Sequence, residues 1–76
     1  MLAERIATLR RARGWSQEEL ASRASVDRSY LAGIERGLRN PSLRSLIKLA
    51  NALKVGVAEL LQSGQSVDPV RKRPAR

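Results

Sequence analysis

Two predicted helices in this chain are separated by only two residues, Ser25 and Val26. The first of these helices ends near Ala24, and Asp27 is a favourable N-terminal cap for the next one. A connection this short forces a sharp corner between the two helices. Any fold available to the chain must therefore contain that corner.

The helix before the corner has the best-marked start in the sequence. Ser16 can accept a hydrogen bond from the amide of Glu19, and Glu19 can reach back to the amide of Ser16. Trp15 and Leu20 occupy the two positions of a hydrophobic staple. We therefore predict that this second helix begins directly after Ser16.

Apolar spacing and stop signals predict the helices on either side. In the first helix, Leu2, Ile6 and Leu9 recur at helical spacing, and Gly14 follows as a stop. The third helix, after the corner, buries Leu31 and Ile34 and ends at Gly37.

A fourth and a fifth helix are predicted beyond Pro41. Ser42 can cap the fourth helix, whose apolar face is broad, and the short fifth helix follows Gly56. The apolar positions of these two helices are Leu43, Leu46, Ile47, Leu49, Ala50, Leu53, Val55, Val57, Leu60 and Leu61. Because the sequence shows no strand-like alternation and no internal repeat, we expect an all-α fold of five short helices.

The chain divides at residue 61. Residues 1–61 are expected to form one compact domain, and residues 62–76, rich in Gly, Ser, Pro and basic residues, a disordered basic tail. A tail of this composition can follow a phosphate backbone or simply keep the chain soluble.

Charge and composition narrow the class of function. The formal net charge of +8 points to a polyanionic partner, nucleic acid before membrane. With no Cys and no His, neither an enzyme nor a metal or cofactor site is expected. The amphipathic N-terminus does not resemble a secretory signal, and no apolar run is long enough to span a membrane, so we expect a cytoplasmic protein.

The third helix has an unusual outer face. On a helical wheel Ser29, Ala32, Gly33 and Arg36 lie opposite the apolar side, with Arg28 on the flank. Glycine inside a helix costs about 1 kcal/mol relative to alanine, so an exposed one suggests close approach of another body. The major groove of DNA, about 12 Å wide, admits a helix. We therefore predict base contacts by Arg28, Ser29, Ala32 and Gly33, and phosphate contacts by Arg36 and Arg39.

Plainer interpretations of the same residues stay open. Gly33 can face another helix of its own fold, and Ser29 can be an ordinary residue of the first helical turn. Arg28 can be a solvated charge, or a phosphate contact that carries no sequence information.

The segment QEELASRASVDRSYLAGIERG resembles the Cro/C1-type (XRE-like) helix-turn-helix family of DNA-binding proteins. The resemblance extends over roughly residues 3 to 62. Within the family, DRSYLAGIERGLRN is most similar to the small controller proteins of restriction-modification systems.

This resemblance implies a five-helix, lambda-repressor-like domain in which the second and third helices form the motif. It implies a phosphate contact for Gln17, base contacts for Arg28 and Ser29, and backbone contacts for Arg39 and Asn40. Two positions depart from the family pattern. Ser25 stands where the turn often has glycine, and Gly33 stands where some relatives carry a longer side chain that reads bases.

Spacing also predicts an ion pair between Arg10 and Glu35. Arg10 borders the apolar stripe of the first helix, and Glu35 borders that of the third. If these two helices touch, the two side chains would meet at a partly buried edge. An unpaired buried carboxylate is costly, whereas a paired one is tolerable. The resemblance implies the same pair, and we therefore assign Arg10 to structure rather than to DNA.

The function expected from these features is sequence-specific transcriptional regulation. A homodimer would present two third helices about 34 Å apart to double-stranded DNA with a pseudo-palindromic operator. Its interface candidates, which can equally be ordinary core residues, are Ile47, Val57, Leu60 and Leu61.

A restriction-modification controller fits this description, and so do a phage-type repressor and an antitoxin. A protein-interaction module that keeps the fold without binding DNA is the alternative from another class. Since the chain offers no second domain, no small-molecule effector is expected.

Overall fold

The structure is a computed structural model and describes residues 2–61, which form five helices and no strand. The helices are α1 (Leu2–Ala12), α2 (Gln17–Ala24), α3 (Arg28–Glu35), α4 (Leu43–Leu53) and α5 (Val57–Leu61). The all-α, five-helix prediction is therefore confirmed for this part of the chain. The predicted tail, residues 62–76, lies outside the described residues.

Three helices begin at the residues predicted to cap them. Ser16, Asp27 and Ser42 are extended, and each accepts a hydrogen bond from the backbone amide three residues on, at 3.0, 3.1 and 3.1 Å respectively. The Glu19 carboxylate, predicted to turn back to Ser16, binds Arg23 one helical turn later, with 2.6 Å between Oε2 and Nε.

Four helix ends close in the same way. Gly14, Ser25, Gly37 and Lys54 all have positive φ, and the amide after each bonds back to the last turn of its helix. At Ser25, the serine amide donates to Ser22 and the amide of Val26 donates to the carbonyl of Ala21 at 2.9 Å. This is the Schellman arrangement, which here tolerates serine and lysine at positions that favour glycine. The sharp corner thus closes without a glycine.

The core lies where α2 meets α3 and α4 and where α1 meets α3 and α5. Its fully buried large side chains are Ile6, Leu20, Leu31, Ile34, Leu49, Leu53 and Leu60. The predicted apolar face of α4 is split, since Leu46 is buried whereas Leu43 and Ile47 are exposed. Among residues 2–61, no helix is long and apolar enough to cross a membrane.

Candidate nucleic-acid interface

Helix α3 holds one face outward. Leu31 and Ile34 are buried in the core, while the side chains of Arg28, Ser29 and Arg36 are exposed. Asp27 caps the helix start, which fixes the direction in which the first turn points. The exposed face therefore carries two cations around small residues, as the helical wheel predicts.

The middle of this face is partly covered. Ala32 and Gly33 are both half-buried. A side-chain Cβ built on Gly33 would lie 3.1 Å from Cδ and 3.2 Å from Cγ of Arg39. The space left by the missing side chain is thus occupied by the stem of an arginine from the loop after α3.

Helix α3 is fixed to α1 by a carboxylate that is almost fully buried. Arg10 donates from Nε to Oε2 of Glu35 at 2.8 Å and from Nη2 to Oε1 at 3.0 Å, and its Nη1 donates to the carbonyl of Trp15 at 2.8 Å. The side chains of Arg10 and Glu35 are only 12% and 5% exposed. The structure thus brings together the two residues predicted to pair, in a two-pronged geometry that orients both.

Gln17 joins the same network. Its Nε2 donates to Oε1 of Glu35 at 3.0 Å, so the first residue of α2 is tied to the last residue of α3. A glutamine amide carries two hydrogens, and one of them suffices for this bond. The bond to Glu35 therefore leaves the second amide hydrogen of Gln17 outside this pairing.

Helix α3 is also fixed to α4, through a tyrosine that the sequence analysis missed. The Tyr30 hydroxyl accepts a hydrogen bond from the backbone amide of Ser42 at 3.0 Å. Hydrogen bonds from Ser45 and from Ser42 lower the pKa of Tyr30 below 10.0, with a smaller contribution from the charge of Arg39. The partner of a lone tyrosine could not be read from spacing, because it depends on the path of the loop between the two helices.

Two arginines, one in α1 and one just after its end, donate hydrogen bonds to backbone carbonyls of the fold. Arg13 donates to the carbonyls of Leu9 and Leu53, which connects the end of α1 to the end of α4. Arg5 donates from Nε to the carbonyl of Glu59 at 3.4 Å. Among residues 2–61, no group of three or more His, Cys, Asp or Glu side chains is placed to hold a metal ion.

Comparison with known proteins matches residues 6–60 to the helix-turn-helix family. The match covers most of the chain, including α2, the corner at Ser25 and α3. The chain belongs to this helix-turn-helix family. The family membership expected from the sequence is thereby confirmed.

Restriction-modification controllers are among the similar helix-turn-helix proteins. The crystal structure of the controller protein C.AhdI from Aeromonas hydrophila is 49% identical, with a TM-score of 0.75, over 78% of this chain and 89% of that one. The control protein C.SmaI from Serratia marcescens is 41% identical over 61 residues, which are 80% of this chain and 73% of that protein.

The transcriptional regulator SinR of Bacillus subtilis is also similar. It is 45% identical over 62 residues, and this chain spans only 56% of its length. A crystal structure of SinR in complex with DNA shares 44% identity and a TM-score of 0.78, over 82% of this chain and all of that one.

The predicted dimer contacts of this helix-turn-helix protein separate into two groups. Ile47 and Leu61 are 42% and 57% exposed, and Val57 is half-buried against the core. Leu60 is fully buried in the protein's own core, so it has no surface to offer a second copy and is removed from the interface candidates. Leu43, one turn before Ile47 on α4, is 69% exposed and belongs beside it.

Proposed function

We propose that this protein is a sequence-specific DNA-binding transcriptional regulator of the restriction-modification controller type. It binds DNA rather than catalysing a reaction. The outward face of α3, exposed and cationic while its opposite face is fixed to α1 and α4, carries the proposal. Its similarity to C.AhdI over 89% of that chain supports the controller type.

Base recognition is assigned to the first turn of α3. The exposed side chains of Arg28 and Ser29 follow directly on the capping residue Asp27, where a helix entering the major groove meets base edges. Arg28 paired with a guanine would contribute about 1–3 kcal/mol of discrimination. Ala32 adds little bulk one turn later, which lets the helix approach the bases.

Affinity without sequence information is assigned to a ring of residues around α3. These residues are Gln17, Arg36, Arg39 and Asn40, whose donors would bind phosphate oxygens. Gln17 is already positioned in the free protein, because Glu35 orients its amide. Removing one phosphate contact should reduce the slope of the logarithm of the binding constant against the logarithm of the salt concentration by about 0.9.

Dimerisation is assigned to the exposed apolar side chains of α4 and α5. Leu43, Ile47 and Leu61 expose apolar surface on these two helices, and Val57 on α5 is half-buried. A twofold dimer would place two copies of α3 about 34 Å apart, the spacing of successive major grooves on one side of DNA. Regulation would then follow protein concentration, because dimerisation and DNA binding are coupled.

Selection of operators from random double-stranded DNA tests this function. We expect a pseudo-palindromic consensus with half-sites one helical turn apart. Arg28→Ala should flatten the preference at one base position of each half-site. Arg11→Ala, which removes an exposed cation from α1, is the matched control and should leave the consensus intact.

Two outcomes would contradict the proposal. One is equal binding of selected and scrambled duplexes. The other is recovery of a protein partner whose affinity is indifferent to Arg28→Ala, which is the behaviour of a protein-interaction module.

A further inference from the structure

The loop after α3 returns an arginine across the helix it has just left. The Arg39 backbone amide donates to the Gly33 carbonyl at 3.2 Å. This bond places the beginning of the Arg39 side chain beside the helix. The stem then passes over Gly33, close enough that a Cβ there would meet Cγ and Cδ at 3.2 and 3.1 Å. Arg39 therefore crosses the only stretch of α3 that has no side chain.

The far end of the arginine has a second support. The Arg39 guanidinium carbon lies 5.8 Å from the centre of the Tyr30 ring, within the range of a cation–π contact. The ring is itself held by the hydrogen bond between the Tyr30 hydroxyl and the Ser42 amide. Gly33 and Tyr30, three residues apart, thus form the two walls along which Arg39 lies.

These walls place the charge on a particular side of α3. Gly33 lies about 140° around the helix from Arg28, and Tyr30 lies about 160° from it. Arg28 and Arg39 therefore flank the exposed face from opposite edges. When a helix lies in the major groove, its edges face the two sugar–phosphate walls.

We propose that Gly33 is a positioning residue whose missing side chain seats the Arg39 stem and so directs its guanidinium to a phosphate. This rests on the proposed function and changes the role of Gly33, from a gap that admits the bases to a seat for a side chain. A long side chain ordered in the free protein loses less rotamer freedom on binding. The seat therefore increases affinity without reading sequence.

The seat can be observed without DNA. In nuclear magnetic resonance spectra of the free protein, we expect nuclear Overhauser contacts between the Gly33 α protons and the γ and δ protons of Arg39. The Arg39 protons should also be shifted by the Tyr30 ring. Absence of the Gly33–Arg39 contacts would overturn the proposal, whatever the protein binds.

Gly33→Ala tests the consequence for binding. Alanine favours the helix, so the variant should fold at least as well as the parent. The added Cβ displaces the flexible stem by a few tenths of an ångström, and we expect about threefold weaker binding to every duplex, with a smaller salt slope. Gly56→Ala is the matched control, because a Cβ at Gly56 meets nothing within 4 Å.

A double-mutant cycle separates the two roles of Gly33. Arg39→Ala alone should weaken binding about tenfold and lower the salt slope by about 0.9. In that background Gly33→Ala should have no further effect, since the side chain that it displaces is gone.

Additive effects, a change of base preference, or no effect of Gly33→Ala on affinity would each overturn the seat. The salt slope is measurable on any duplex, so these results decide the role of Gly33 even if the protein shows no operator preference. The proposed function would fail separately in that case.

Discussion

At the scale of single residues, a contact can be predicted when its two partners are placed by regular helices. Arg10 and Glu35 both border apolar stripes, so their meeting follows from helical spacing and the contact of α1 with α3. The seat of Arg39 over Gly33 does not follow, because the loop from Gly37 determines where the arginine returns. Helical spacing alone therefore allowed two interpretations of Gly33, close approach to DNA or contact with another helix. Neither of them is a seat for Arg39.

Without the Arg10 side chain, the protein should unfold more readily. Arg10→Ala leaves the Glu35 carboxylate, 5% exposed, without its two guanidinium bonds, and should lower the free energy of unfolding by about 3–5 kcal/mol. Urea denaturation followed by circular dichroism measures this. Arg11→Ala, on the exposed side of α1, should change it by less than about 0.5 kcal/mol. Equal midpoints for the two variants would contradict the structural role of Arg10.

The lowered pKa of Tyr30 gives a prediction about alkaline pH. Hydrogen bonds from Ser45 and Ser42 favour the ionised form, so the ultraviolet absorbance of this single tyrosine should titrate below 10.0. Ser45→Ala should move the midpoint back up, whereas Ser22→Ala on α2 should not. Because the folded pKa lies below the unfolded value, this group adds stability as pH rises toward 10.0 and loses it as pH falls through the folded pKa. A midpoint above 10.0 would count against the bonds to Tyr30.

At the scale of helices, the sequence predicts where each helix begins better than where it ends. A cap such as Ser16, Asp27 or Ser42 is a local chemical signal, since its own side chain supplies the bond. Left-handed ends at Gly14 and Gly37 carry a signal too. Those at Ser25 and Lys54 carry none, because packing of the helices imposes the conformation on residues that do not prefer it.

Ser25→Gly should therefore stabilise the protein. Serine at φ 58° is in a region that disfavours side chains, and glycine there should add roughly 0.5–1 kcal/mol, raising the melting temperature by several degrees. Ser22→Gly, inside α2, should have the opposite sign and cost about 1 kcal/mol. A lower melting temperature for Ser25→Gly would show that the serine at the corner is not strained.

At the scale of the whole molecule, the sequence predicted the helices better than their exposed surfaces. The apolar face of α4 is wider than the core can cover, and periodicity alone does not say which part α5 leaves open. The structure buries Leu60 and exposes Leu43, Ile47 and Leu61. These exposed apolar side chains of α4 and α5 are the surface to which dimerisation is assigned.

Ile47→Glu should weaken dimerisation. A charge on the exposed side of α4 would have to be desolvated in the dimer, so sedimentation equilibrium should show a dissociation constant raised at least tenfold. Leu38→Glu is the control, because Leu38 is 69% exposed but lies in the loop after α3. If both variants dimerise as the parent does, α4 is not the interface.

The separation of inner and outer faces on α3 makes the protein a candidate for retargeting. Glu35 and Tyr30 tie the inner side to α1 and α4, while positions 28, 29 and 36 point to solvent. Positions 28 and 29, to which base recognition is assigned, can be randomised together without removing the bonds of Glu35 and Tyr30. A library of such variants would be a source of new operator preferences in an unchanged fold.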